Sequence, residues 1–168
     1  MHTLYFISVA LHILAATIWI GGIAFLVLVV VPWLRSGSRV AAGVFLRETG
    51  LRFRNVGWTC FGVLIVTGTF NLWYRGVRPW HFIDPAWLRS SFGSAIALKL
   101  AVFAAVLGIS VIHDFSVGPR ATRALEQDPT GPEAARLRRQ ASLLGRANAL
   151  LALALLVIAV AIVRGWPR

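Results

Sequence analysis

Four apolar runs, at about residues 3–31, 55–74, 92–116 and 143–163, each reach the roughly 20 residues that a helix needs to cross a hydrocarbon core. Inside lipid a backbone must satisfy its own polar groups, so runs of this kind fold as helices. The expected fold class is therefore all-α: an integral membrane four-helix bundle, with residues 1–168 as a single transmembrane domain. Composition agrees, since 58% of residues are hydrophobic and 14% charged, against about half and a quarter in soluble domains. The net charge of +11 does not indicate nucleic acid, because the basic residues lie between the apolar runs instead of forming one stripe.

Arginine placement sets the expected orientation. The first loop carries Arg35, Arg39, Arg47, Arg52 and Arg54, and the third carries Arg120, Arg123, Arg136, Arg138, Arg139 and Arg146. The second loop and the carboxyl end hold only Arg75, Arg78, Arg89, Arg164 and Arg168. Basic residues accumulate on the cytoplasmic side of membranes, which predicts a multi-pass protein with both termini outside the cytoplasm. No Lys or Arg precedes Arg35, and the first run is too long for a signal-peptide core, so it reads as a retained helix. One cysteine, Cys60, leaves no internal disulfide and no paired-cysteine metal motif. Glu126, Asp128 and Glu133 with Pro129, Gly131 and Pro132 predict a solvated third loop. No period of 20 to 50 residues, the usual range for repeat architectures, recurs convincingly.

Ionisable groups within a bilayer are costly and usually mark a functional position. On the first helix Ser8, His12, Ala15, Trp19 and Gly22 share a face at helical spacing; on the second, Cys60, Thr67 and Asn71 do; on the third, Lys99, Val106, Ser110 and His113. At 1.5 Å per residue, His12 lies about 14 Å and Lys99 about 10 Å from the outer ends of their helices, which predicts neighbours in the outer half of the bundle. Lys99 is also long enough to snorkel outward. His2 and His81 belong to the outer surface and His113, beside Asp114, to the cytoplasmic one.

Helix bundles hold metals and cofactors between facing helices. Haem iron accepts an imidazole, and an apolar pocket suits the macrocycle. Copper is the rival, with His2, His12, His81 and His113 as candidate ligands, although soft Cu(I) sites prefer sulfur and the chain has a single Cys and a single Met. The candidate cofactor-binding residues are His12, Lys99, Trp19 and Asn71, for haem b or copper. A cofactor-free accessory subunit, with these groups as interhelical glue, is the remaining alternative.

The chain resembles the CopD family of bacterial copper-resistance membrane proteins and the related HemJ-type protoporphyrinogen oxidases. The resemblance rests on Leu11-His12 with Trp19 and Gly21-Gly22; Arg54, Gly57-Trp58 and Thr67-Gly68; Leu98-Lys99-Leu100; His113-Asp114-Phe115 with Gly118-Pro119-Arg120; and Gly145-Arg146 with Asn148. CopD membership implies copper uptake or resistance. Similarity to HemJ-type proteins implies haem held by a first-helix His and a third-helix Lys, at His12 and Lys99, with quinone-linked porphyrinogen oxidation. HemJ-type chains tend to place an acidic residue where this chain has Ala149. Expected partners are membrane lipid, a quinone or a periplasmic copper protein, and a second copy of the chain.

Overall fold

The computed structural model describes residues 1–36, 39–128 and 130–165, with side chains described outside 34–47. The protein is all-α; no strand occurs among the described residues. Four helical stretches are long and apolar enough to span a membrane: His2–Trp33, Glu48–Tyr74, Ser91–Gln127 and Pro132–Arg164. Large apolar side chains such as Phe6, Leu28, Val66 and Val160 are exposed along them, as lipid-facing surfaces require. The chain forms two compact units, Met1–Ile83 and Asp84–Arg168.

In the first unit α1 (His2–Phe25) leads through a π-helical segment, Leu26–Val30, into α2 (Val31–Ser36), and α3 (Arg39–Tyr74) packs back along α1. The two run antiparallel: Tyr5 stacks on Tyr74 at 4.2 Å, His12 meets Thr67, and Trp19 meets Phe61. Small residues set the approach. A Cβ on Gly22 would collide with the Phe53 ring, and Gly57 sits against Trp19. The end of α3 is closed by a Schellman motif, in which Val77 N donates to Leu72 O at 3.0 Å and Gly76 N to Trp73 O at 3.1 Å. Gly76 adopts φ 82°, a backbone region that strains any L side chain. Gly76→Ala is expected to cost about 1–2 kcal/mol, read as a lower melting temperature in detergent.

In the second unit α4 (Pro85–Arg89) turns into α5 (Ser91–Ile112), a π-helical segment His113–Val117 leads into α6 (Gly118–Gln127), and α7 (Pro132–Arg164) returns along α5 and α6. Ser90 caps α5 by accepting from Gly93 N at 3.0 Å, and Asp84 caps α4 by accepting from Ala86 N at 2.9 Å. Val106 is fully buried, with Ala152, Leu155 and Ile158 supplying apolar positions on α7.

The helices extend beyond the expected apolar limits. α3 starts at Arg39, so arginines expected in a loop ride on helix, and α6 runs to Gln127 while α7 begins at Pro132. Neither Pro32 nor Pro119 ends its helix. A proline within a helix leaves the carbonyl four residues back without a donor and crowds it; those carbonyls belong to Leu28 and Phe115, at the centres of the two π segments. Each chain widens by one residue there, with Val31 N donating to Leu26 O and Gly118 N to His113 O.

These two segments disclose a repeat longer than the periods considered above. Aligning Pro32 with Pro119 aligns Leu26–Val30 with His113–Val117 and Gly21 with Gly108. The same register aligns buried Ser8 with buried Ala95, buried Trp19 with buried Val106, and His12 with Lys99. Each unit thus begins with one helix design and carries its half-buried ionisable residue at the same distance from the π segment.

Candidate functional site

The first unit builds a polar site around His12. Thr67 Oγ1 donates its only proton to Val63 O at 2.6 Å, one turn back on α3. The same oxygen stands 2.8 Å from His12 Nδ1, and with its proton committed it acts there as acceptor. A hydroxyl accepting from the ring favours the neutral tautomer of His12 with its proton on Nδ1 and its lone pair on Nε2. That tautomer, with Nδ1–H held by a neighbour, is the one in which histidine coordinates metals through Nε2.

The surroundings hold the ring in place. A Cβ on Gly68 would lie 3.3 Å from His12 Cε1, so the glycine admits the imidazole against α3. Ser8, one turn before His12 and 8% exposed, reaches Thr67 O at 3.4 Å. Trp19 is 3% exposed and meets the Phe61 ring edge-on at 5.1 Å, forming an apolar floor two turns further along α1. Asn71, one turn beyond Thr67, has a buried Oδ1 with no hydrogen-bond partner among the described residues. An unpaired buried acceptor costs about 1–3 kcal/mol, and a bound group with a donor would remove that cost.

Each of the other predicted residues has its own setting within its unit. Lys99 is half-buried on α5 in the second unit and makes no hydrogen bond or ion pair among the described residues. His113 Nδ1 pairs with Asp114 Oδ1 at 2.8 Å within the second π segment. His81 Nδ1 accepts from Arg78 N at 2.9 Å and so belongs to the turn after α3, where Arg78 also donates to Trp73 O and Val77 O. His2 is exposed in the first turn of α1. Among the described residues no three His, Cys, Asp or Glu side chains gather as a metal site.

Sequence reasoning placed Thr67 on the correct face but overlooked its function. The available signal was its position in the opposite stripe, at a depth matching His12 once the helices are paired. A second overlooked link lies between Ser110 and Asn148, whose Nδ2 donates to Ser110 Oγ at 2.8 Å while its own buried Oδ1 finds no partner among the described residues. Interhelical hydrogen bonds in membranes average about 0.6 kcal/mol, so Ser110→Ala should lower stability by about that amount or somewhat more. Asn148→Leu removes donor and orphaned acceptor together and should cost less than Ser110→Ala, a ranking that thermal melts of the two variants would check.

Four helices long and apolar enough to cross a membrane, with a histidine hydrogen-bonded to Thr67 between two of them, define a multi-pass α-helical membrane protein. Residues 47–162 match the family described as Copper resistance protein D, and the chain belongs to this CopD family. The match takes in Thr67, Asn71, His81, Lys99 and His113 and begins after His12. A protein of Aquifex aeolicus (strain VF5), described as an uncharacterized protein, is 34% identical over 112 residues, which cover 66% of this chain and 68% of that one. No solved structure matches.

Proposed function

We propose that this copper-resistance family protein carries a redox-active metal at His12, held as b-type haem, and uses it in copper handling or electron transfer across the membrane face. The observation that carries this reading is the Thr67 hydroxyl, whose committed proton leaves Nε2 of His12 as the donor atom. Haem fits this donor set better than resident copper. The macrocycle brings four nitrogens of its own and asks the protein for one or two axial ligands. A protein-ligated copper centre needs several convergent side chains, and none gather among the described residues. Copper itself enters as cargo.

His12 would hold the iron and Thr67 would orient the imidazole and raise its basicity. Trp19 and Phe61 would keep water from that face, and Asn71 Oδ1 would accept from a donor on the bound group. When bound, haem iron supplies a one-electron couple whose potential depends on axial ligation and burial. The arginine bias supports an inner-membrane setting with α1 starting on the outer face, where a quinone or a periplasmic copper protein would exchange electrons or copper with the site.

The test is a joint haem and metal analysis of the full chain purified from membranes of haem-replete cells. A Soret band that shifts on reduction, with haem in stoichiometric amount, is expected. Stoichiometric copper without a Soret band would overturn the haem assignment. The copper-handling part is read separately: cells expressing the chain should change in copper tolerance or accumulation, and no change in either would remove it.

A further inference from the structure

The acidic, proline-containing third loop predicts no more than a solvated turn, yet α6 and α7 flank a cleft of about 500 Å³ lined by Arg120, Arg123, Gln127, Glu133, Arg136 and Gln140. Ala121, Ala134 and Leu137 are buried at 7%, 1% and 6% exposure, so α6 is fastened to α7 and the arginines stand on two fixed walls. The turn joining them is tight: Asp128 Oδ1 accepts from Thr130 N and Oγ1, both at 3.2 Å, and a Cβ on Gly131 would strike the Asp128 carboxylate. Three guanidinium groups face one carboxylate in the cleft, and none of the three forms an ion pair among the described residues. An orientation signal alone needs arginines near the helix ends; it does not need them lining a common cavity.

The cleft lies just beyond the apolar parts of the third and fourth spans. Arg120 follows the apolar part of the third span by a turn, and Arg136 precedes that of the fourth by two. At the near ends of those apolar parts Phe115 and Leu143 are 60% and 53% exposed. Fixed guanidinium forks bind phosphate oxygens in pairs, and basic pockets between spanning helices are a recurrent site for anionic head groups. We propose that this cleft binds the phosphate head group of an anionic phospholipid, with the acyl chains lying along Phe115 and Leu143.

The experiment titrates the full chain in detergent with phosphatidylglycerol, phosphatidylcholine and inorganic phosphate, reading bound lipid by native mass spectrometry and melting temperature in parallel. Phosphatidylglycerol should remain bound and raise the melting temperature of the wild type, whereas phosphatidylcholine should do neither. Arg120→Gln with Arg136→Gln, one from each wall, should weaken phosphatidylglycerol binding about 30-fold. Arg138→Gln with Arg139→Gln removes the same charge outside the cleft and should leave binding within a few-fold of wild type. Equal losses in the two double variants would overturn the cleft as the site. Equal stabilisation of the wild type by both lipids would do so without any substitution. Inorganic phosphate binding as tightly as the lipid would overturn the lipid as its source.

Discussion

Thr67→Val is expected to weaken metal binding at His12 by about 10–100-fold, the usual loss when the partner of a ligating histidine is removed. Valine has nearly the shape of threonine, and Thr67 is 7% exposed, so the α1–α3 contact should persist while the hydroxyl is lost. Without that acceptor nothing from Thr67 fixes the proton on Nδ1 or the ring orientation. His12→Ala marks the limit, in which the donor atom itself is gone and binding at this position should vanish. Haem titration of the two variants, followed by absorbance, would place Thr67→Val between wild type and His12→Ala. Thr67→Val binding as tightly as wild type would remove the hydroxyl from the account. Thr67→Ser keeps the hydroxyl and should stay close to wild type.

Gly93→Ala is expected to be the most damaging small substitution in the second unit. A Cβ there would drive into the Trp87 carbonyl, a backbone atom that a rotamer change cannot move. Ser90 caps α5 through the same glycine's N–H, so displacing the corner also strips the cap. Overpacking of this kind typically costs about 1–3 kcal/mol, and loss of a serine cap about 1 kcal/mol more. Relief by movement of α4 would open the corner near Trp87 and raise proteolysis there. A melting temperature equal to wild type, with no new cleavage, would show that the corner yields more easily than its geometry implies.

The spans were legible because lipid leaves so few alternatives: a long uncharged run such as residues 55–74 has to be helix. The faces were legible too, since Ser8, His12 and Trp19 on α1, and Cys60, Thr67 and Asn71 on the second span, recur at helical spacing. Helix ends were not. Gly118-Pro119 and Pro32 read as breakers in a sequence, whereas a π turn lets both helices continue, because the carbonyl that proline orphans lies inside a widened turn. That same adjustment shows the shared placement of π segment and proline after α1 and α5, which too few identical residues accompany for it to stand out in the sequence. Thr67 could be placed on a face but not assigned a proton, since its donor role depends on Val63 O and its acceptor role on a residue of another helix. The arginine cleft was hidden for a similar reason: charge in a loop is visible in sequence, and the Ala121, Ala134 and Leu137 contact that arranges it is not.

The most direct measurement is a nitrogen-15 spectrum of the metal-free chain labelled at its four histidines, with His12 assigned by its absence in His12→Ala. A protonated Nδ1 and an unprotonated Nε2 are expected at His12, with the proton losing its fixed place in Thr67→Val. A His12 carrying its proton on Nε2 in the wild type would contradict this assignment.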